Sequence, residues 1–247
     1  MFSDILGAGS RGHAILLDLD DTIVTDDVIS EETWRGVCRR FAPYVRECSS
    51  EELYDAIKNT AVGYWGDPRN HSKGRLNLVG TRREIVRLAL RGIGIGDDEF
   101  ADKLADTYSS EKESAITLIP GAIDTLRSFK EYGLRLAMIT NGNSEVQRRK
   151  IRRFGLDAIF DFILIESEFG VGKPDARVFY TVLKELNVVA SAACMIGDDL
   201  DRDIAGAQRL GIYSIWVDWR YSGLPLHSRI KPDCIINTLS QLIKDNG

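Results

Sequence analysis

Residues 15–24 read ILLDLDDTIV, and how this stretch folds decides the reading of the whole chain. Ile15, Leu16 and Leu17 form an apolar run without polar alternation, as suits a central strand of a parallel sheet covered on both faces. The run ends in Asp18, Asp20 and Asp21 before apolar character resumes at Ile23. Carboxylates this close repel one another, so at least one should keep a proton unless a cation holds them. The rest of the chain must supply that cation or explain its absence.

Working outward, short apolar runs recur at 134–139 (LRLAMI), 162–165 (FILI), 192–196 (AACMI), 213–217 (YSIWV) and 233–236 (DCII). Helix-length segments lie between them, with Ala122, Leu126, Phe129 and Lys130, or Val178, Val182, Leu183 and Leu186, at helical spacing. Gly133, Gly155 and Gly211 stand where those helices should stop. From residue 118 onward this alternation predicts βαβ units and a parallel sheet. The interval from about 26 to 115 differs, because it shows helical patterns and no strand. Ser30 and Ser50 are the expected N-caps there, and Thr81 with Glu84 has the spacing of a capping box. An all-helical interruption of roughly ninety residues far exceeds an ordinary connection, so it predicts a second domain. The expected class is α/β: a Rossmann-like parallel-sheet core from residues 1–24 and 118–247, with residues 25–117 as an inserted helical domain. Segments near 23–26 and 117–121 would form the hinge, and closure would exclude bulk water during reaction.

Bulk properties narrow the partners. A hydrophobic content of 44% and a charged content of 28% are those of a globular chain of 247 residues. The net charge of −5 offers no broad basic surface, so neither nucleic acid nor anionic membrane is an expected partner. No run has the length of a transmembrane helix. The opening residues carry Asp4 and lack a long apolar core, which makes a poor signal peptide, and GAGSRG reads as a flexible lead-in. Cys38, Cys48, Cys194 and Cys234 form no CxxC pair and fit a reducing, cytoplasmic setting. His13, His71 and His227 are scattered, so a histidine zinc site is not expected.

In open parallel sheets ligands bind beyond the carboxyl ends of the strands. The first run is followed there by Asp18-Leu19-Asp20-Asp21-Thr22, and LRLAMI by Thr140-Asn141-Gly142-Asn143. Near FILI comes Gly172-Lys173-Pro174-Asp175, with Pro174 set to open a helix. AACMI is followed by Gly197-Asp198-Asp199, then Asp201 and Asp203. Asp18 and Asp198 offer the hard oxygen ligands that Mg²⁺ takes together with a substrate phosphate, and such a cation would make the like charges tolerable. Lys173, the Thr140 hydroxyl and the N–H groups of the Thr140-Asn141-Gly142 turn suit phosphate oxygens. A carboxylate can act as nucleophile through an aspartyl-phosphate, and Asp20 could serve as general acid and then base.

Taken in order, DLDDT, ITNGN, GKPD and GDDLDRDIAGAQRLG resemble the four motifs of the haloacid dehalogenase-like (HAD) superfamily. The resemblance covers residues 13–24 and 118–247, and the helical insert resembles the cap of the subfamily whose cap lies between the first two motifs. It implies Asp18 as nucleophile and Asp20 as acid/base. Thr140 would bind phosphate, where the turn reading already adds the Asn141 N–H, and Lys173 would steady nucleophile and phosphate. Asp18, the backbone carbonyl of Asp20 and Asp198 would hold Mg²⁺, while Asp203 would orient Lys173 or a metal-bound water. Either Asp199 or Asp203 could be the second acidic partner of the fourth motif, with Asp203 favoured. Dehalogenases of the superfamily attack carbon, expel halide and typically lack an acid at the Asp20 position. The favoured function is therefore Mg²⁺-dependent hydrolysis of a small phosphate monoester through an aspartyl-phosphate. The alternatives are a phosphotransferase or phosphomutase acting on a sugar phosphate, a 2-haloacid dehalogenase, and a non-catalytic binding module.

Other features have plainer readings. GIGIGDDEF (92–100) mimics a phosphate loop but follows no strand, so it should end one helix and start another. Arg82, Arg83, Arg87 and Arg91 read as a solvated helix face, with contact to an anionic substrate as the alternative. Trp34, Tyr64 and Trp65 are expected in the core of the helical domain, Trp216 and Trp219 to pack, and His227 to lie at the surface.

Overall fold

Ile15-Leu16-Leu17 lies, as its composition demands, in the middle of a sheet. In the computed structural model, β1 (Ala14–Leu17) is fully buried and hydrogen-bonds to a strand on either side. The structure describes residues 13–243 apart from 46–47, 68, 71–73 and 75, so the GAGSRG lead-in and His71 lie outside the described residues. After β1 come α1 (Asp27–Phe41), α2 (Ser50–Gly66), α3 (Leu78–Gly92), α4 (Asp98–Ala115) and α5 (Ala122–Glu131). They are followed by β2 (Arg135–Thr140), α6 (Ser144–Arg153), β3 (Phe162–Ile165), α7 (Ala176–Glu185) and β4 (Ala193–Gly197). β5 (Tyr213–Val217) and β6 (Cys234–Ile236) complete a six-stranded, all-parallel sheet among the described residues, in the order β3-β2-β1-β4-β5-β6.

Both faces of this sheet are covered. Ala14, Leu16, Ala137, Ile139, Leu164 and Met195 point to one side and pack with Val178, Phe179, Val182 and Leu183 of α7. Ile15, Leu17 and Met138 alternate to the opposite side and are equally buried. The helices stop where glycines allow a left-handed turn: Gly133, Gly155 and Gly211 have φ of 77°, 63° and 73°. From β1 the chain winds outward through β2 and β3, and from β4 it winds the other way. The boundary between β1 and β4 is thus the topological switch point, where such sheets bind ligands.

The chain divides into two compact units, one running to Thr25 and resuming at Thr117, the other Asp26–Ile116. In the first unit the two crossing segments are paired: Thr25 N–H donates to the Thr117 carbonyl at 2.9 Å and Ile119 N–H to that of Ile23 at 2.9 Å. The second unit holds α1–α4, with no strand among its described residues, and has a core of its own around Val37, Leu53, Ile57, Val86, Leu90 and Leu104. Trp34 stacks on Tyr108 with ring centroids 3.6 Å apart, and Lys112, at the far end of α4, pairs with Asp26 at 2.7 Å.

Helix starts differ locally from the sequence reading. Ser49, not Ser50, caps α2, in a reciprocal box with Glu52. Asn77 caps α3, which places Thr81 and Glu84 inside that helix, and α1 starts at Asp27, ahead of Ser30. In each case another residue of a cap-favouring type lies one to four positions upstream, and the apolar pattern cannot choose between them; at α1 that residue, Asp26, makes no side-chain cap bond. Pro174 likewise precedes the true cap of α7, Asp175, whose carboxylate accepts the Arg177 N–H at 2.9 Å.

Candidate active site

The site is assembled at the carboxyl ends of β1, β2 and β4. Asp18 continues β1 by one residue, its N–H donating to the Ile196 carbonyl at 3.0 Å, which sets it against the end of β4 at the switch point. Lys173 reaches this place from a loop before α7. Its Nζ donates to Asp18 Oδ1 at 2.6 Å and pairs with Asp203 Oδ1 at 2.7 Å, and its side chain is only 2% exposed. Asp203 is completely buried, and there is room for it only because residue 197 is glycine: a Cβ there would sit 2.2 Å from Asp203 Oδ2.

Between the two acids left open by the sequence, geometry separates the roles. Asp203 meets the lysine, whereas the Asp199 carboxylate turns back to accept the N–H groups of Asp201 and Arg202 at 3.0 and 2.8 Å, capping the turn that follows β4. The Asp199 N–H in turn donates to Asp203 Oδ2 at 3.1 Å. Asp198 stands at the end of β4, and its carbonyl accepts the indole N–H of Trp216 at 2.7 Å, so Trp216 fastens the loop as well as packing.

Asp18, Asp198 and Asp203 can each offer one carboxylate oxygen within 4.8 Å of the others. The Lys173 ammonium pairs with two of the three, Asp18 and Asp203. Burial, with Asp18, Asp203 and Asp21 nearby, pushes the Asp198 carboxyl up to about 9. Burial outweighs the attraction of Lys173 at Asp18 as well, whose carboxyl is raised to about 6. Burial works against the Lys173 ammonium too, but the carboxylates of Asp18 and Asp203 prevail and hold it above the usual lysine range. An all-oxygen cluster with carboxylates in excess of their cation has the donor set and the surplus of negative charge that suit a hard divalent cation.

Part of the second motif is already engaged within the protein. The Asn141 side chain is occupied by the lysine loop, its Oδ1 accepting Lys173 N–H and its Nδ2 donating to the Lys173 carbonyl, both at 2.8 Å. Gly172 permits this approach, since a Cβ there would lie 2.6 Å from Asn141 Oδ1. Gly142 N–H is likewise taken, by the buried carboxylate of Glu166 at 2.9 Å. Of the groups this turn could offer a ligand, the Asn141 side chain and the Gly142 N–H are thus already hydrogen-bonded within the protein.

Asp20 lies two residues beyond Asp18 on a tight turn in which Ile23 and Val24 N–H both donate to the Leu19 carbonyl. Its carboxylate is gripped from α6: Lys150 Nζ donates to Oδ1 at 2.6 Å and Gln147 Nε2 to Oδ2 at 2.8 Å. The Gln147 amide also lies 2.6 Å from Thr140 Oγ1. Neither residue stood out in the sequence, yet a signal was there. Gln147 and Lys150 share a helix face with buried Ile151 and are themselves buried, so two polar residues occupy positions where periodicity calls for apolar ones.

This geometry can be set beside known proteins. The family model for haloacid dehalogenase-like hydrolases matches residues 13–211. The chain belongs to this family. It is 36% identical to the glyceraldehyde 3-phosphate phosphatase of Pyrococcus furiosus, over 96% of this chain and 95% of that one. It is 31% identical to the phosphoserine phosphatase of Thermus thermophilus, over 92% and 96% of the two chains. Among solved structures, the HAD hydrolase YfnB of Bacillus subtilis bound to magnesium superposes with a TM-score of 0.71 at 25% identity, covering 94% of this chain and 97% of that one. No helix among the described residues is long and apolar enough to cross a membrane.

Proposed function

We propose that the chain is a Mg²⁺-dependent phosphatase that hydrolyses a small phosphate monoester through an aspartyl-phosphate at Asp18. The observation that carries this reading is the surplus of buried carboxylate around Asp18 and Lys173, beside a further carboxylate, Asp20, tied through Gln147 to the Thr140 hydroxyl. The carboxylates of Asp18 and Asp198 and the carbonyl of Asp20 would hold the metal, which when bound neutralises charge on the phosphoryl group. Asp203 is assigned to Lys173, which it meets directly.

In the first step an Asp18 carboxylate oxygen attacks phosphorus while the bond to the ester oxygen breaks. Asp20 gives its proton to the departing alkoxide, so the alcohol leaves neutral. Lys173 steadies the nucleophile and, with the Thr140 hydroxyl and the Asn141 N–H, holds the phosphoryl oxygens. In the second step Asp20 takes a proton from water. That water attacks phosphorus, the bond to Asp18 breaks, and inorganic phosphate is released with the Asp18 carboxylate restored. An acid at Asp20 has no work to do in halide expulsion, which sets the dehalogenase reading behind. The helical unit is assigned as the cap of the subfamily with its insert between the first two motifs. Small three-carbon esters are the first substrates to try, given the names of the two relatives.

The test is phosphate release from a panel of phosphomonoesters with Mg²⁺ or chelator, for wild type and Asp18→Asn. Release that needs both the metal and Asp18 is expected. Turnover surviving Asp18→Asn overturns the nucleophile, and isomerisation of a sugar phosphate without phosphate release moves the reading to a mutase.

A further inference from the structure

An acid–base carboxylate must present one oxygen to the leaving group and later the same oxygen to water, so its orientation matters as much as its presence. Asp20 sits on a turn with its side chain about 29% exposed. Two donors from α6 contribute to fixing it. Lys150 and Gln147 stand on successive turns of one helix face and engage the two different oxygens of Asp20, at 2.6 and 2.8 Å. Both donors are buried, Lys150 at 7% and Gln147 at 3% exposure, which an ordinary surface pair would not require. Holding a lysine there has a desolvation cost that solvent-exposed alternatives avoid. The same Gln147 amide contacts Thr140 Oγ1 at 2.6 Å and the Asn141 carbonyl at 3.2 Å. A single side chain thereby sets the distance between Asp20 and the hydroxyl assigned to phosphate. The N-terminus of α6 is anchored independently, by the Asn143 cap and by Arg148 paired with Glu168 at 2.7 Å, so the two donors project from a fixed base.

We propose that Lys150 and Gln147 are positioning residues that lock the Asp20 carboxylate relative to the phosphate-binding end of β2; this rests on the phosphatase reading above. The help of a general acid matters most when the leaving group is basic, so a misplaced Asp20 has a signature that general damage lacks.

The experiment measures kcat/KM for aryl phosphates graded from p-nitrophenyl to phenyl phosphate, in wild type, Lys150→Met, Lys150→Arg and Gln147→Met, with melting curves for each. Lys150→Met should lose on the order of 10²-fold on phenyl phosphate, the scale of a small misplacement of a reacting group, and at least about tenfold less on the p-nitrophenyl ester. Gln147→Met should show the same gradient, and Lys150→Arg, which keeps the donor, should restore most of it. A loss equal across the series, or no loss, overturns the inference. Should Lys150→Met fail to fold, Gln147→Met and Lys150→Arg still decide by the same gradient. Wild type inactive on every ester breaks the phosphatase reading itself and takes this inference with it.

Discussion

Two groups of charged residues, one in each unit, follow opposite rules. Along α3 and α4 of the helical unit, Arg83, Arg87 and Arg91 face Asp106, Asp102 and Asp98, each arginine gripping its own carboxylate at 2.6 to 2.8 Å. Charge is matched one to one, and every member is partly solvated. At the ends of β1 and β4, by contrast, buried Asp18 and Asp203 share Lys173 and half-buried Asp198 stands beside them, so acids are in excess. The ladder is what folding produces when charge only has to be harmless. The cluster is unfavourable for folding alone, which is what the proposed role as a place for a cation and a phosphate would explain.

The largest expected effect comes from taking away the one ammonium of the cluster. Lys173→Met should lower phosphate release by roughly 10²–10³-fold or more, as removal of a preorganised electrostatic donor does. It should also destabilise the protein by about 3–5 kcal/mol, because it leaves buried carboxylates uncompensated. Denaturant unfolding beside the activity assay checks both. A variant as stable as wild type would mean that the cluster is no more strained than the ladder.

Next in size is the metal. A cation that binds only the folded state stabilises it by about 2.7 kcal/mol at a hundred times its dissociation constant. Adding Mg²⁺ should therefore raise the melting temperature of wild type, and Asp198→Asn should remove most of that rise. A wild type whose melting ignores Mg²⁺ would leave the surplus charge without its proposed counterion, independently of any assay of turnover.

A third environment sharpens the contrast. Asp218, just past β5, is buried at 6% exposure and is satisfied by neutral donors: the Gly223 N–H at 2.8 Å, and the Ser222 N–H and hydroxyl at 3.0 Å each. Burial works against its charge, but these hydrogen bonds prevail and hold its carboxyl below the usual range. A carboxyl depressed on folding contributes stability at pH above its unfolded value, and that contribution is lost as pH falls through the folded one. Asp218→Asn should therefore be less stable than wild type at neutral pH, by on the order of 1 kcal/mol. The gap should close as the solution is acidified below the ordinary carboxylate range. Thermal melts across an acid series measure it, and a gap independent of pH would show that shape, not charge, holds the loop.

How much of this was legible depends on where each partner sits in the chain. β1 and its carboxylates declare themselves within ten residues, because an unbroken apolar run has few other uses and clustered acids have none in a core. The helical insert declares itself by length and periodicity. The grip on Asp20 does not, since Gln147 and Lys150 lie 127 and 130 residues away and nothing local marks them as its partners. The bond between the Asn141 side chain and Lys173, 32 positions on, is hidden for the same reason. Arg83, Arg87 and Arg91 read as a solvated face because their acids belong to the next helix. Arg82 alone of the four stacks on a ring, that of Tyr108, and donates to Ser109.

The smallest effect belongs to the ladder, and it tests the comparison from the other side. Partly exposed ion pairs gain little, because the solvent that screens them also solvates each partner well when it stands alone. Arg87→Ala should leave kcat/KM unchanged and shift melting only slightly, with the shift shrinking further as salt is added. Combining it with Asp102→Ala in a double-mutant cycle isolates the pair itself. Its coupling should fall far below that of Lys173 with Asp18 measured in the same way. A coupling of similar size would mean that matched surface charge is as consequential here as mismatched buried charge, and the excess of acid at the end of β1 would lose its standing as the mark of the site.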